Sequence, residues 1–262
     1  MTFTAVADQV LVRTSRRMRT TTTLALGPGG ILVDPAWEQD ELDGIADDLD
    51  GLGVRVTAGF STHAHYDHLL WHPRFGGATP RWASSAAVAV VAAQRDALLD
   101  DLAADSAGSH DGAVRALFGR VTAMPDDDGR PGTRIPGPDG ALPPHEVVTH
   151  DAHAPGHSAL WLPGPGVLVA GDMLSDTEIP LPFDPDDLEA YLAGLDRLEP
   201  YVRAASVLVP GHGTPSYAPM TRLDADRRYL DAVLSGRAPD DPRLRDPGMA
   251  DAHARVLRIA GR

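Results

Sequence analysis

The segment 62–68, Thr-His-Ala-His-Tyr-Asp-His, constrains this chain more than any other part of the sequence. The run before it, 54–60, is β-branched and apolar and predicts a short strand that ends where the histidines begin. In an extended chain residues i and i+2 point to the same side, so His63 and His65 can reach one metal. A turn after them lets the Asp67-His68 pair face a second metal. Without a cation, four titratable groups at a strand end would repel each other or lack partners. The segment therefore predicts a metal centre at the end of a strand.

Three later motifs each place a further candidate ligand at a junction between a strand and a loop. His157 lies in a glycine turn, Pro-Gly-His-Ser, before a predicted strand, and Asp172 ends an apolar strand in Ala-Gly-Asp. His212 repeats the first pattern in Pro-Gly-His-Gly. Each motif alone also fits a plain turn or cap. Together with the first segment they supply five histidines and two aspartates, all at junctions between a strand and a loop, and chance explains this poorly.

The order of these motifs resembles the metallo-β-lactamase fold superfamily of metallohydrolases. The resemblance runs over about 24–213: His-x-His-x-Asp-His, a Pro-Gly-His turn, Gly-Asp, and Pro-Gly-His-Gly. It implies an α/β fold of the αββα sandwich type, in which two mixed sheets are flanked by outer helices. It also implies a site at one edge of the two sheets.

The resemblance implies a ligand set for two metals. The first metal would be held by His63, His65 and His157, the second by Asp67, His68 and His212, and both by a bridging Asp172. Asp34 stands where the family often has an acid that supports the ligands, and it fits a plain strand end equally well. Two departures matter: the chain has no cysteine, so the thiolate ligand of some β-lactamases is absent, and 69–75 intervene before Gly76-Gly77. Antibiotic hydrolysis is therefore disfavoured.

The alternation of strand-rich and helix-rich stretches predicts a single domain over 1–262, with a helical C-terminal extension from about 220. Helices are predicted at 38–52, 84–102, 112–118, 184–198, 225–234 and 250–259. A long loop is predicted at 125–144, where proline, glycine and aspartate follow no period.

The net charge of −14 repels phosphate backbones, so nucleic acid is not an expected partner. The longest apolar run, 86–93, is far shorter than the ~20 residues that cross a bilayer, and the first residues resemble no secretory signal. We therefore expect no membrane partner and a cytoplasmic location. An apolar face on the helix 84–102 would permit a homodimer.

Function follows from the metals. Two divalent cations, zinc first and Mn²⁺ or Fe²⁺ next, would share a hydroxide that attacks a small carbonyl substrate: an ester, thioester or lactone. Asp67 would orient that hydroxide and carry a proton to the leaving group. The alternatives are a small-molecule phosphodiesterase, iron-dependent oxidation on the same scaffold, and a metal-binding protein without turnover.

Four further residues are weaker candidates. Tyr66 lies between ligands and either donates to a bound carbonyl or packs in the core. His153, four residues before His157, is interpreted as a brace for that turn. Phe183 and Tyr217 follow the Asp172 and His212 motifs and are candidates for the substrate pocket by position alone.

Overall fold

The computed structural model describes residues 2–108, 110–125 and 132–262. Seven strands of the described chain form a first sheet in sequence order: β1 (Thr4–Ala7), β2 (Val10–Thr14), β3 (Thr21–Ala25), β4 (Gly30–Val33), β5 (Val56–Phe60), β6 (Arg81–Ala83) and β7 (Thr122–Ala123). Neighbours from β1 to β4 are antiparallel, and neighbours from β4 to β7 are parallel. This sheet is therefore mixed.

The second sheet has four strands: β8 (Glu146–His150), β9 (His157–Leu162), β10 (Val167–Gly171) and β11 (Val207–Pro210). Their spatial order is β11-β10-β9-β8. The pairs β8–β9 and β9–β10 are antiparallel, whereas β10–β11 is parallel. Each sheet thus contains one parallel region. Within each region the carboxyl ends of the paired strands lie at the same edge of the sheet.

Helices cover the outer face of each sheet. They are α1 (Gln39–Leu52), α2 (Ser85–Asp105), α3 (Gly112–Leu117), α4 (Leu188–Ala204), α5 (Pro219–Leu234) and α6 (Met249–Ile259). In α1 the buried Leu42, Ile45 and Leu49 recur at helical spacing and face the first sheet. The Ser84 hydroxyl caps α2 by accepting a hydrogen bond from the Ala87 amide.

Three apolar clusters hold these layers together. One joins α1, α2 and α3 to the first sheet, and another joins α4, α5 and α6 to the second. The third lies between the sheets and draws residues such as Ile31, Phe60, Leu160 and Val209 from both. The layers are helix, sheet, sheet and helix, so the predicted αββα sandwich is confirmed.

Several element boundaries differ from the predictions. Helix α4 begins at Leu188 rather than at 184, because the Asp187 side chain accepts a hydrogen bond from the Ala190 amide and sets the start there. Helix α5 begins at Pro219, six residues earlier than predicted, because proline suits the first helical turn. Strand β9 begins at His157 itself, although this residue was expected in the turn before the strand.

The remaining predictions concern the long loop and the domain count. Of the predicted loop 125–144, residues 126–131 lie outside the described residues, and the described remainder contains no helix or strand. The single domain stays a prediction. The residues beyond 218 carry α5, a short 3₁₀ helix (Pro242–Arg245) and α6.

No helix among the described residues has the length and apolarity needed to cross a bilayer.

Candidate metal centre

Four strands deliver polar side chains to one edge of the sandwich. Asp34 follows β4, the segment 62–68 follows β5, Asp172 follows β10 and His212 follows β11. The pairs β4–β5 and β10–β11 are each parallel, so the carboxyl ends of both partners lie together. The polar residues that follow these strands therefore meet across the gap between the sheets.

Asp34 organises the segment after β5. Its carboxylate accepts hydrogen bonds from the Thr62 amide at 2.9 Å and from the Thr62 hydroxyl at 2.7 Å. Its Oδ2 also lies 3.0 Å from His68 Nδ1. A carboxylate on one ring nitrogen fixes the orientation of an imidazole and leaves the other nitrogen for a metal. Asp34 thus lies in ion-pair contact with His68, and a hydrogen bond at this position would orient the ring.

The first group of candidate ligands contains three histidines and one aspartate. Their ligand atoms all lie within 4.8 Å of one another, and the residues are His63, His65, His153 and Asp172. His153 Nε2 is 3.2 Å from His65 Nδ1 and 3.6 Å from Asp172 Oδ2. His153 Nδ1 donates to the Leu181 carbonyl at 2.9 Å, which leaves Nε2 as the acceptor. This set suits a metal that prefers nitrogen ligands.

His157 does not join this group, and its role as a ligand stays a prediction. It begins β9 opposite His150, and its Nε2 accepts a hydrogen bond from the Asp172 amide at 3.0 Å. Its Nδ1 lies 3.4 Å from His150 Nε2. Both ring nitrogens of His157 thus have protein partners. His153, predicted to be a brace, occupies the position that the sequence analysis gave to His157.

The second group contains Asp67, His68 and His212, again with ligand atoms within 4.8 Å of one another. Asp67 Oδ2 is 3.2 Å from His68 Nε2 and 3.3 Å from His212 Nε2. A single 3₁₀ turn (Tyr66–His68) directs both Asp67 and His68 inward, where they are buried. His212 Nδ1 donates to the Met18 carbonyl at 2.9 Å, so His212 Nε2 faces the group.

Asp172 connects the two groups. Its Oδ1 lies 3.2 Å from His68 Nε2, and its Oδ2 lies 3.4 Å from His63 Nε2 and 3.1 Å from His212 Nε2. The close approach requires glycine at 211, because a Cβ there would lie 1.9 Å from Asp172 Oδ1. The geometry suits a carboxylate that two ions share.

The donor atoms fit divalent metals. His63 Nε2 and Asp172 Oδ1 are buried and make no hydrogen bond with any described residue. Burial lowers the pKa of His153 to about 4 and lowers the pKa of His63 well below its ordinary value. Both imidazoles are therefore neutral at pH 7, which is the form that binds metal. Burial also lowers the pKa of His68, but the carboxylates of Asp172 and Asp67 raise it well above its ordinary value. The carboxylates thus create a field that attracts positive charge.

The sequence between Thr20 and His212 matches a family model for the metallo-beta-lactamase superfamily. The chain belongs to the metallo-beta-lactamase superfamily. The matched residues, 20–212, include every member of the first two ligand groups. No curated protein sequence matches the chain significantly.

Solved structures show the same fold at low identity. A metallo-beta-lactamase family protein from Thermus thermophilus is 21% identical, with a TM-score of 0.68 over 98% of this chain and 95% of its own. A beta-lactamase domain protein from Burkholderia ambifaria is 19% identical, with a TM-score of 0.67 over 98% of this chain and 85% of its own. The metallo-beta-lactamase FIM-1 from Pseudomonas aeruginosa, in its mono-zinc form, is 17% identical, with a TM-score of 0.59 over 85% of this chain and 94% of its own.

Three weaker candidates are not members of the ligand groups of this superfamily member. Tyr66 packs edge-on against Trp37, and its hydroxyl donates to Asp105. These contacts favour the packing alternative for Tyr66, and donation to a substrate stays a prediction. Phe183 is partly buried beneath the Arg255 guanidinium, 4.3 Å from the ring centroid. Tyr217 is 69% exposed and makes no hydrogen bond or ring contact with the described residues. Pocket roles for Phe183 and Tyr217 stay predictions.

Three residues at the metallo-beta-lactamase site were not predicted from the sequence. The buried Thr20 hydroxyl donates to Asp67 Oδ2 at 3.2 Å and lies 3.3 Å from His212 Nδ1. Asp184 Oδ2 lies 3.6 Å from His65 Nε2, and this contact lowers the pKa of Asp184. Glu178 forms a third group with Asp172 and His212, again within 4.8 Å. The only sequence signal for Glu178 is an acid directly before an apolar Ile-Pro-Leu-Pro run.

Proposed function

We propose that this chain is a dinuclear metal-dependent hydrolase that acts on a small, uncharged carbonyl substrate such as an ester, thioester or lactone. The observation that carries the proposal is the position of Asp172 between two groups of candidate ligands, of which all but His65 are buried. Structural metal sites are closed and four-coordinate, whereas two adjoining groups with a shared carboxylate are typical of hydrolytic centres.

The charge of the site favours an uncharged substrate. Asp67, Asp172 and Glu178 bring three carboxylates to the ligand groups, and these offset most of the charge of two divalent cations. The net charge of the chain, −14, adds a repulsive field for anions. Both the carboxylates of the site and the net charge of the chain would weaken the binding of an anionic phosphodiester. Neither would weaken the binding of a neutral carbonyl compound.

Zinc is the first candidate for the metals. The first group offers three imidazoles, and imidazole suits zinc. The structure of FIM-1 is of a mono-zinc form. Mn²⁺ and Fe²⁺ are the next candidates, since the second group also contains carboxylate oxygen. A small-molecule substrate as the partner, a homodimer and a cytoplasmic location stay predictions.

The chain's own residues would hold the ions and move a proton. When bound, divalent metals supply Lewis-acid activation of water and of a carbonyl group. Burial raises the pKa of Asp67, but His68 and His212 lower it more, so the pKa lies well below its ordinary range. Asp67 is thus a carboxylate at neutral pH and can accept a proton at Oδ1 or Oδ2. The Thr20 hydroxyl, at 3.2 Å, fixes Oδ2.

The test of this proposal is Asp67→Asn assayed on an ester, a thioester, a lactone and a phosphodiester. We expect the wild type to turn over only carbonyl substrates. The asparagine keeps an oxygen at the site but cannot accept a proton, so with metal in excess, which keeps both positions filled, we expect kcat to fall by about 10²- to 10⁴-fold. Turnover is followed by release of a chromogenic group, and metal content by plasma emission.

Asp100→Asn is the matched control, because Asp100 is exposed on α2 and the substitution is the same. We expect wild-type kcat and metal content for this variant. Full activity in Asp67→Asn would remove the role of Asp67. Turnover of the phosphodiester alone, or of no compound by the metal-loaded wild type, would contradict the proposed substrate class.

A further inference from the structure

Glu178 lies in the segment between β10 and α4, six residues after Asp172. Its carboxylate falls within 4.8 Å of the ligand atoms of Asp172 and His212. Among the described residues, no hydrogen-bond donor or basic side chain is in hydrogen-bond or ion-pair contact with that carboxylate. Burying part of a carboxylate beside two other candidate ligands is unfavourable unless a cation compensates its charge.

The backbone of Glu178 is fixed at both of its polar groups. Its amide donates to the Ser175 hydroxyl oxygen at 3.1 Å, and its carbonyl accepts from Arg243 Nη1 at 2.9 Å. The Ser175 hydroxyl in turn donates to the His212 carbonyl at 2.7 Å. Glu178 is therefore tied, through Ser175, to a residue that is itself a candidate ligand. The backbone that carries Glu178 is therefore held in place by hydrogen bonds.

The side of the centre on which Glu178 lies is given by its neighbours. His212 belongs to the second group, with Asp67 and His68, and does not belong to the first. Adding Glu178 gives the second position oxygen from three carboxylates and nitrogen from two imidazoles. The first position keeps three imidazoles and the shared Asp172. Carboxylate-rich sets suit Mn²⁺ and similar ions, whereas imidazole-rich sets suit zinc.

We propose that Glu178 is an additional ligand of the second metal position and makes that position more tolerant of Mn²⁺ than the first. This inference rests on the proposed dinuclear function and adds a chemical difference between its two ions. Replacing the carboxylate by an amide removes one negative charge and leaves a weaker oxygen ligand, at the second position only. Mn²⁺ is the harder ion and depends more on a charged oxygen ligand than Zn²⁺ does. The affinity for Mn²⁺ should therefore fall more than the affinity for Zn²⁺.

The experiment is calorimetric titration of chelator-treated full-length protein with Zn²⁺ and, separately, with Mn²⁺. We expect two binding steps in the wild type. In Glu178→Gln we expect an unchanged first step and a second step weakened by about 10- to 100-fold for Mn²⁺, with a smaller loss for Zn²⁺. Glu178→Asp keeps the charge on a shorter side chain. The affinity of its second binding step should therefore lie between the affinities of the wild type and of Glu178→Gln.

Glu189→Gln is the matched control, because Glu189 is exposed in the first turn of α4. Thermal unfolding of the metal-free variants reports on folding. Glu178→Gln should unfold at or above the wild-type temperature, since it removes a carboxylate that repels Asp172. An unchanged second step in a folded Glu178→Gln overturns this inference alone. A wild type that takes up no second ion contradicts this inference and the proposed function together.

Discussion

His153 and His157 lie four residues apart and have different surroundings. His153 is in the loop before β9, where its Nε2 faces His65 and Asp172. His157 is the first residue of β9, where strand pairing sets it opposite His150. Its Nε2 accepts the hydrogen bond of the Asp172 amide. We therefore assign His153 to the first metal and His157 to the support of Asp172.

Alanine at each position separates the two roles. We expect His153→Ala to weaken the first metal by at least about 10- to 100-fold, because a ligand is lost. His157→Ala leaves the buried Asp172 amide without an acceptor, so we expect both metals to bind while the free energy of unfolding falls by about 1–3 kcal/mol or more. Metal titration and urea unfolding measure the two effects. The opposite pattern would restore His157 as the ligand.

His150 gives the metal-free protein a predicted sensitivity to acid. Burial lowers the pKa of His150 to about 3, and the charges of Arg197 and His153 contribute less. The His157 ring lies beside the His150 ring, with His157 Nδ1 3.4 Å from His150 Nε2. The unfolded chain takes up a proton at His150 below about pH 6.5, and the folded chain does not do so until about pH 3. Stability therefore falls as the pH drops through this window, by about 1.4 kcal/mol per pH unit for this group.

His150→Asn removes the titrating group and keeps a polar side chain. We expect this variant to lose about 2 kcal/mol less stability than the wild type between about pH 6.5 and pH 5. Urea unfolding at both pH values, in the presence of a chelator, measures the difference. Equal losses in the two proteins would show that His150 does not carry this dependence.

At the scale of residues, most of the predicted ligands lie close together in the structure, whereas several of their neighbours were not predicted. Contiguous residues such as His63, His65 and His68 were found because their spacing itself restricts the geometry. Thr20 and Glu178 were missed because they approach the ligands from other segments, and local spacing contains no information on such contacts. The sequence could not rank His153 against His157, because two histidines flank one turn and only strand pairing shows which one belongs to β9.

At the scale of elements, the C-terminal 3₁₀ helix holds the segment that carries Glu178. Arg243 Nη1 donates to the carbonyls of Ser175 at 3.0 Å and Glu178 at 2.9 Å. The same nitrogen lies 2.5 Å from Asp226 Oδ1 on α5, and both side chains of this ion pair are buried. Residues outside the matched region 20–212 thus support the centre.

Arg243→Met tests this support. The substitution keeps an apolar stem but leaves Asp226 buried without its partner, and we expect a loss of about 3–5 kcal/mol in the free energy of unfolding. The matched control is Arg237→Met, because Arg237 pairs with Asp231 at the surface and both side chains are more than 60% exposed. Its expected loss is below about 1 kcal/mol. Similar losses in denaturant unfolding of the two variants would contradict the support role.

Elements with strong local signals were predicted well, and their ends less well. Helix α1 was found because apolar residues recur at helical spacing and Gly53 ends the pattern in a left-handed conformation. The start of α4 was misplaced because Asp184 and Asp187 both resemble caps in the sequence. Only Asp187 accepts the hydrogen bond of a helix amide in the structure.

At the scale of the whole molecule, the centre depends on two sheets that meet at one edge. The first sheet supplies the ligands after β5, and the second supplies Asp172 and His212 after β10 and β11. The apolar cluster between the sheets sets their separation. The sequence predicted this sandwich through the order of its motifs, since periodicity alone does not say which strands pair across the chain.

The most direct test of the central claim is the metal content of the chain after reconstitution with excess Zn²⁺ and removal of unbound ion. Plasma emission then gives the equivalents of zinc per chain. The two ligand groups that share Asp172 predict about two equivalents. One equivalent or none would contradict a dinuclear centre and the hydrolase proposed from it.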